Sequence, residues 1–401
     1  MMQARKVALS LLPLLLLFST AIGSPGQEFW ITIGKETLDS SMKQIGLAHF
    51  NVEKAVGDAA LVKINEEALP ALSKLMHHEF KRCGGYFRHN SYEDALETLA
   101  LNRSVPHTIN KEFVDYSINS QLLVKSIIQN VRAVSIEGMI RQLANFKNRY
   151  YKSKHGINAA NWVADFWRNL AKERSDTKVE LFEHSQSPQP SVILTIKGRS
   201  DELIIIGGHL DSIAGWWNRS NAKSPGADDN ASGIATMTEV IRVLLQRDFV
   251  PEKTIKFIAY AAEEVGLIGS QDIARFYSDN SEVVAGVLQL DMTNYKGSDS
   301  LDIVLISDYT NAIQNEFLGK LITTYLDGVK WEYDKCGYAC SDHSSWTKVG
   351  YPASFPFESK KRDMNGNIHT ARDTIDVSDG NALHAAKFAQ LAVAFVVELD
   401  R

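Results

Sequence analysis

The chain has 401 residues, 44% of them hydrophobic and 23% charged, with a formal net charge of -5. That length allows one large domain and a smaller one, and the composition is ordinary for a folded globular protein, which excludes disorder as the default. The mild acidity provides no field for steering nucleic acid, and no Lys/Arg block is interleaved with aromatics, so nucleic acid is not an expected partner.

The first residues differ from the rest. Arg5 and Lys6 make a short basic region, Val7 to Phe18 an apolar run rich in leucine, and Ala21-Ile22-Gly23 a small-residue cleavage pattern, so residues 1–23 read as a secretory signal peptide. The alternative is a membrane anchor, which needs about 20 apolar residues, and this run is well short of that. No later segment is long and apolar enough to span, so the expected location is extracellular, with periplasmic transit if the source is Gram-negative.

Next, Glu28 to Gly34 and Ala60 to Ile64 read as short strands, and Glu66 to Lys81 and Tyr92 to Leu101 as helices, giving a small α+β unit. It ends in the polar, proline-containing stretch Asn102 to Asn110, an expected exposed linker. From Glu112 onward, the amphipathic patterns Gln121 to Arg132, Ser135 to Phe146 and Ala159 to Lys172 predict helices. The period then changes. Val192 to Ile196, Leu203 to Ile206, Thr254 to Ala259, Gly286 to Leu290 and Ile303 to Ile306 are aliphatic runs separated by helical stretches. Such runs are strands buried on both faces, which predicts a three-layer α/β/α sandwich around a mostly parallel mixed sheet. After Asp229, residues Ile234, Met237, Ile241, Leu244 and Leu245 share one helical face, and Asp228-Asp229-Asn230 offers caps at the helix start.

Ligands of open α/β sheets bind outside the carboxyl ends of the strands. His209 follows Leu203 to Ile206, the Glu263-Glu264 pair follows Thr254 to Ala259, and Asp291 follows Gly286 to Leu290. Asp229 and His369 stand in the loop-like strings PGADDNASG and GNIHTARDT. Any one of these residues alone is ordinarily a cap or a solvated side chain. Together, two histidines and several carboxylates offer nitrogen and oxygen ligands for two borderline cations, with one carboxylate left to bridge, and two adjacent buried acids would repel without a cation. If they converge, the chain is a two-metal hydrolase. His209 and Asp211 form an H-x-D pair in which the carboxylate would take the free ring N–H.

Of three cysteines, Cys336 and Cys340 have three readings: a disulfide, a metal pair, or two thiols. Export disfavours thiols and no second Cys/His pair lies nearby, which favours the disulfide and leaves Cys83 single.

From about Glu112 to the C terminus the sequence resembles the secreted two-zinc aminopeptidases of the bacterial leucyl aminopeptidase type. The resemblance rests on HLDS, PGADDNASGIA, AYAAEEVGLIGSQD, LQLDMTNYKG, CGYACSDHSSW, PFES and IHT, in that order. It implies a zinc-exopeptidase-like fold and two zinc ions bridged by Asp229, one completed by His209 and Asp291, the other by Glu264 and His369. Glu263 would be the general base, Asp211 would orient His209, and Tyr338 would help stabilise the oxyanion. An apolar pocket for the first side chain would involve Met292, Ile306 and Phe357. This chain departs from the family pattern at the rim, where Lys361 and Met364 stand in place of aromatics, and at Asn230, where an aspartate is commoner.

By the same resemblance, carried by FKRCGGY, residues 24–110 are a removable propeptide that inhibits the enzyme or assists its folding until a processing protease cuts it, and residues 111–401 are the catalytic domain. The expected partners are peptides with a free N terminus, and the expected state is a monomer away from membranes. An aminoacyl-peptide deacylase or carboxypeptidase on the same scaffold is the competing enzyme reading, with Lys361 or Arg362 as its basic group. A non-catalytic receptor-like ectodomain is the third reading, against which the intact acidic and histidine set argues.

Overall fold

The computed structural model describes residues 28–401 apart from 47–48, 66–67, 69–70, 73–74, 77–78, 81–84, 90, 102–113 and 216–217. The signal-like residues 1–23, Cys83, the 102–110 linker and part of the Glu66 to Lys81 stretch lie outside the described residues.

The N-terminal unit is built on four antiparallel strands, β1 (Glu28–Gly34), β2 (Phe50–Val56), β3 (Ala59–Asn65) and β4 (Tyr86–His89), in the order β2-β3-β1-β4. Alternation decides its two faces. Ile31, Ile33, Val62 and Ile64 pack with Leu38 of the helix Lys35–Ile45, whereas Ala59 and Leu61 pack with Ala95 and Leu99 of the helix Tyr92–Leu101. That second helix has the predicted bounds.

The main domain carries an eight-stranded sheet in the order β11-β10-β12-β9-β7-β8-β6-β5. Its strands are β5 (Thr177–Phe182), β6 (Ser191–Ile196), β7 (Leu203–His209), β8 (Thr254–Tyr260), β9 (Val284–Gln289), β10 (Ile303–Ile306), β11 (Trp331–Asp334) and β12 (Ala353–Phe357). The β7 strand is parallel to β8 and β9, β12 is parallel to β9, and β10 is parallel to β11; β5–β6, β6–β8 and β10–β12 are antiparallel. The sheet is therefore mixed and mostly parallel. Residues 183–190 are too short for the crossover that a parallel β5–β6 pair needs.

Successive residues of β7 serve different cores. Ile204 and Ile206 pack with Val163, Ile234, Val240 and Phe395, and Leu203 and Ile205 with Ile273, Tyr277 and Trp346. Helices Lys154–Ala171, Ala231–Gln246 and Leu383–Leu399 thus cover one face, and Ile268–Asp279 and His343–Lys348 the other, which makes three layers. The Ala231–Gln246 helix was predicted with one apolar face, yet it is buried almost all round, wedged between the sheet and the helices Ala133–Ala144 and Leu383–Leu399. Its small residues Ala231, Ser232, Gly233 and Ala235 permit that close packing.

Candidate metal centre

Pairing in register sets His209 beside Tyr260 and Gly207 beside Gln289, so the carboxyl ends of β7, β8 and β9 open on one edge. His209 closes β7, Glu263–Val265 forms a 3-10 turn just after β8, and Asp291 follows β9. Asp229 comes from the loop before Ala231–Gln246, and His369 from the segment between β12 and the last helix.

These side chains converge. His209 Nε2 lies 3.1 Å from Asp229 Oδ1 and 3.3 Å from Asp291 Oδ1. His369 Nε2 lies 2.9 Å from Asp229 Oδ2 and 3.0 Å from Glu264 Oε2. Asp229 therefore turns one oxygen toward each of two groups, His209/Asp229/Asp291 and Asp229/Glu264/His369, whose donor atoms lie within 4.8 Å of one another. Close backbone approach makes this possible: a Cβ on Gly208 or Gly233 would come within 2.6 or 2.2 Å of the Leu290 carbonyl oxygen. Ala262, Met292 and His369 all hold φ between 54° and 56°, a sparsely populated region for side-chain-bearing residues. Surrounding contacts must hold them there.

The cluster is buried and rich in ionisable groups. Glu263, Glu264, Asp229, Asp291 and His209 are no more than 1% exposed, and His369 is 4% exposed. Burial pushes the Glu264 carboxyl up to about 7 and holds Glu263 well above the usual carboxylate range, with Asp342 and the other acids adding to it. Burial would lower His209 and His369, but Asp291 and Glu263 leave the first well above its usual value, and Glu264 and Asp229 raise the second to about 10. Burial also opposes an ionised Asp229, yet the two imidazoles hold it well below the usual range.

Both oxygens of Glu263 and of Glu264, Oδ1 of Asp291 and Nε2 of His209 are buried without a hydrogen bond. Unpaired buried acceptors are expensive, and divalent cations would satisfy them and displace the imidazole protons. Nitrogen and oxygen donors with no thiolate suit zinc or a similar borderline ion. The residues present fit a metal pair.

The Asp211 carboxylate, expected on the free ring N–H of His209, lies chiefly on the neighbouring turn. It accepts from the backbone N–H of Glu263 at 2.9 Å and of Glu264 at 3.2 Å, which fixes the turn. His209 Nδ1 lies closer to the Asp211 carbonyl oxygen, at 3.1 Å, than to its carboxylate, at 3.5 Å. Ser341 donates to Asp291 Oδ2 at 2.6 Å. Asn230 caps its helix: Oδ1 accepts from Gly233 N at 2.8 Å and Met292 N at 3.2 Å, while Nδ2 donates to the Leu290 carbonyl at 3.0 Å. An aspartate there would set an acceptor against an acceptor, which accounts for the amide.

The expected pocket residues also meet. Cys336 and Cys340 form a disulfide. Tyr338 between them packs with Met292, Ile306, Phe357 and Met364 in one apolar cluster, and Lys361 Nζ stands 5.6 Å from the Tyr338 ring centre and 5.7 Å from that of Phe357. From the small unit, Phe87 of β4 packs on Leu267 and Ala339, which flank the Glu263–Val265 turn and Tyr338. Gln271 Nε2 donates to the Arg88 carbonyl at 3.0 Å, and Asp94 pairs with Lys348 and, at 3.9 Å, with Arg275.

Sequence reasoning missed Arg149, Glu358, Asn365 and Asp373, which hold the backbone or carboxylates around the cluster. Asp373 and Glu358 sit inside the strings IHTARDT and PFES, so proximity to a motif was the available signal; Arg149 has none.

The model of peptidase family M28 matches residues 191–394. A probable aminopeptidase of Saccharomyces cerevisiae is 36% identical over 304 residues, 73% of this chain and 77% of that protein. Leucine aminopeptidase 1 of Paracoccidioides brasiliensis is 38% identical over 282 residues, 66% of this chain and 71% of that protein. The solved LapA aminopeptidase of Legionella pneumophila superposes with a TM-score of 0.80 at 28% identity, covering 94% of this chain and 99% of that one. That coverage extends into the N-terminal unit.

Proposed function

The chain belongs to peptidase family M28 and is an aminopeptidase of that metal-dependent family, and from that premise we propose a secreted two-zinc enzyme that removes apolar, leucine-like residues from the free N termini of peptides. The observation that carries the reading is the division of the two Asp229 oxygens between His209 and His369. His209 and Asp291 complete one site around Asp229, and Glu264 and His369 complete the other.

Bound there, the zinc pair supplies a water of lowered pKa and an electrophile for the scissile carbonyl. Glu263 has both oxygens free of protein hydrogen bonds and takes a proton from the attacking water, then returns it to the leaving nitrogen. Tyr338 steadies the carbonyl oxygen as it gains charge. Asp211 keeps the Glu263-Glu264 turn and His209 in place through the backbone contacts described above. Met292, Ile306, Phe357 and Met364 form the wall for the first side chain, with Lys361 laid across the rings at its rim.

The same reading assigns residues 1–23 to a signal peptide and 24–110 to a propeptide that keeps the site covered until a processing protease cuts the linker. The packing of Phe87 on Leu267, beside the Glu263–Val265 turn, and on Ala339, beside Tyr338, supports it. The mature domain acts outside the cell as a monomer.

Metal analysis of the processed enzyme, paired with leucyl p-nitroanilide hydrolysis before and after chelation, tests this function. We expect about two zinc ions per chain and activity that chelation abolishes and zinc restores. Activity that survives metal removal overturns the reading.

A further inference from the structure

Asp229 belongs to the loop 225–229, and two buried polar side chains grip the backbone of that loop, one by its carbonyls and one by its amides. Arg149 is 0% exposed. Its Nε donates to the Leu210 carbonyl at 2.8 Å, Nη2 to Gly226 at 2.8 Å, and Nη1 to Pro225 and, at 3.2 Å, to Leu143. All four partners are main-chain carbonyls. Gly226 is required for this approach, because a Cβ there would lie 2.8 Å from Arg149 Nη2 and 2.3 Å from the Asp229 carbonyl oxygen.

Asp373, also 0% exposed, takes the amides of the same loop. Its Oδ2 accepts from Asp229 N at 3.0 Å and its Oδ1 from Asp228 N at 3.2 Å, while its own carbonyl accepts from Ala227 N at 3.1 Å. Asn365 Nδ2 bridges Asp373 Oδ1 and Asp228 Oδ2, each at 3.2 Å. The loop is thus held by its carbonyls on a buried guanidinium and by its amides on a buried carboxyl group.

The two clamps also reach the other ligand segments. Leu210, held by Arg149, follows His209; Asp373 lies in the same segment as His369. Arg149 therefore ties Asp229 to the His209 side, and Asp373 ties it to the His369 side. A bridging carboxylate serves two ions at once, so a small displacement toward one weakens its hold on the other.

We propose that Arg149 and Asp373 are positioning residues that clamp the 225–229 backbone and hold the Asp229 carboxylate midway between the two metal sites. This rests on the two-zinc reading and adds residues that touch neither metal nor substrate. Outer partners of metal ligands commonly carry 10- to 100-fold of affinity or activity, and misplacing a reacting group by about 1 Å costs a comparable factor.

The test uses the processed enzyme carrying Arg149→Lys, Arg149→Met or Asp373→Asn, with Asn365→Ala as a milder variant that keeps both clamps. Zinc affinity is measured by chelator competition, ligand geometry by the absorption spectrum of the cobalt-substituted protein, and turnover by kcat and KM separately. A core variant, Leu321→Ala, serves as a control for lost stability. We expect Arg149→Met and Asp373→Asn to weaken binding of the second zinc about 10- to 100-fold, change the cobalt spectrum and lower kcat with little change in KM, with Arg149→Lys and Asn365→Ala intermediate. Leu321→Ala should lower Tm and leave zinc affinity and spectrum alone. Wild-type zinc affinity and spectrum in the clamp variants overturn the proposal, as does a loss no greater than that of Leu321→Ala at equal Tm; if Arg149→Met and Asp373→Asn do not fold, Arg149→Lys, which keeps the charge but not the fork of donors, is held to the same criterion. Wild-type enzyme that binds no zinc overturns the two-zinc reading instead.

Discussion

Glu263 and Glu264 are consecutive, equally buried and both anchored by their N–H groups on Asp211, yet their side chains have different neighbours. Glu264 Oε2 lies 3.0 Å from His369 Nε2 and so belongs to a donor group with Asp229, whereas Glu263 belongs to neither of the two groups. Rotation along the 3-10 turn separates them, sending consecutive side chains in different directions. Substituting the first should thus remove proton transfer without removing a ligand. Glu263→Ala is expected to retain close to the wild-type zinc content while kcat falls by about 10²–10⁴-fold, the usual contribution of a positioned base. Zinc analysis and steady-state kinetics on one preparation check it, and a variant that keeps most of its turnover refutes the base assignment.

The strand β4 and helix Tyr92–Leu101 join the small unit to the main domain, and titratable groups stand at their contacts. His89 Nδ1 lies 3.4 Å from Asp94, its Nε2 lies 3.0 Å from Thr32 Oγ1, and Asp94 faces Lys348 and Arg275 of the main domain. Burial pushes His89 down to about 4. Burial would raise Asp94, but His89 and Lys348 hold it below the usual range. An exposed histidine binds a proton below about pH 6.5 that the docked His89 refuses until about 4, so the docked state loses stability across that interval as pH falls. Asp94 stabilises docking above its ordinary value near 4, and that contribution is lost below it. Both signs agree: acid loosens the unit. After a nick in the linker, the N-terminal fragment should co-elute with the main domain near pH 7.5 and separate near pH 4.5. Asp94→Asn, which leaves buried Lys348 without its carboxylate, should weaken retention at neutral pH by about 2 kcal/mol or more. Co-elution unchanged across that range would sink the idea.

Sequence alone made some elements legible and hid others for physical reasons. The strands β6 to β10 are readable because both of their faces are apolar, as in Leu203 to Ile206, and His209, Glu264 and Asp291 are readable because they follow those runs, whereas Asp229 and His369 stand in loops and are marked only by the strings around them. The central strand β12 is equally buried, but Ser354 and Pro356 interrupt its apolar run. Edge strands β5 and β11, half-exposed and mixed in character, leave no such run. Arg149 and Asp373 are hidden for a different reason: their partners are main-chain atoms, which carry no residue identity, and some lie more than 70 positions away. The Asp211 contact to the Glu263-Glu264 turn is hidden in the same way.

The two units have separate apolar cores. Phe29, Ile31, Val62 and Leu72 belong to one, and the helices and strands from Val124 onward to others. Among the described residues, the buried apolar cluster that spans both is the small one of Phe87, Leu267 and Ala339. On the propeptide reading, cutting between the two units would remove a cover and leave the main core whole. Stability of a domain follows the area buried in its own core, so the principal thermal transition should move little on processing while aminopeptidase activity rises. Cysteine chemistry reports the same event independently. The chain has three cysteines, and the Cys336–Cys340 disulfide leaves Cys83 in the segment assigned as removable. Denatured unprocessed protein should titrate Cys83 without reductant, and the active form should titrate no thiol until it is reduced. Mass spectrometry of that active form should give an N terminus close to residue 111. An active form that begins near Gly23, with its Cys83 thiol still present, would make the N-terminal unit a permanent accessory domain.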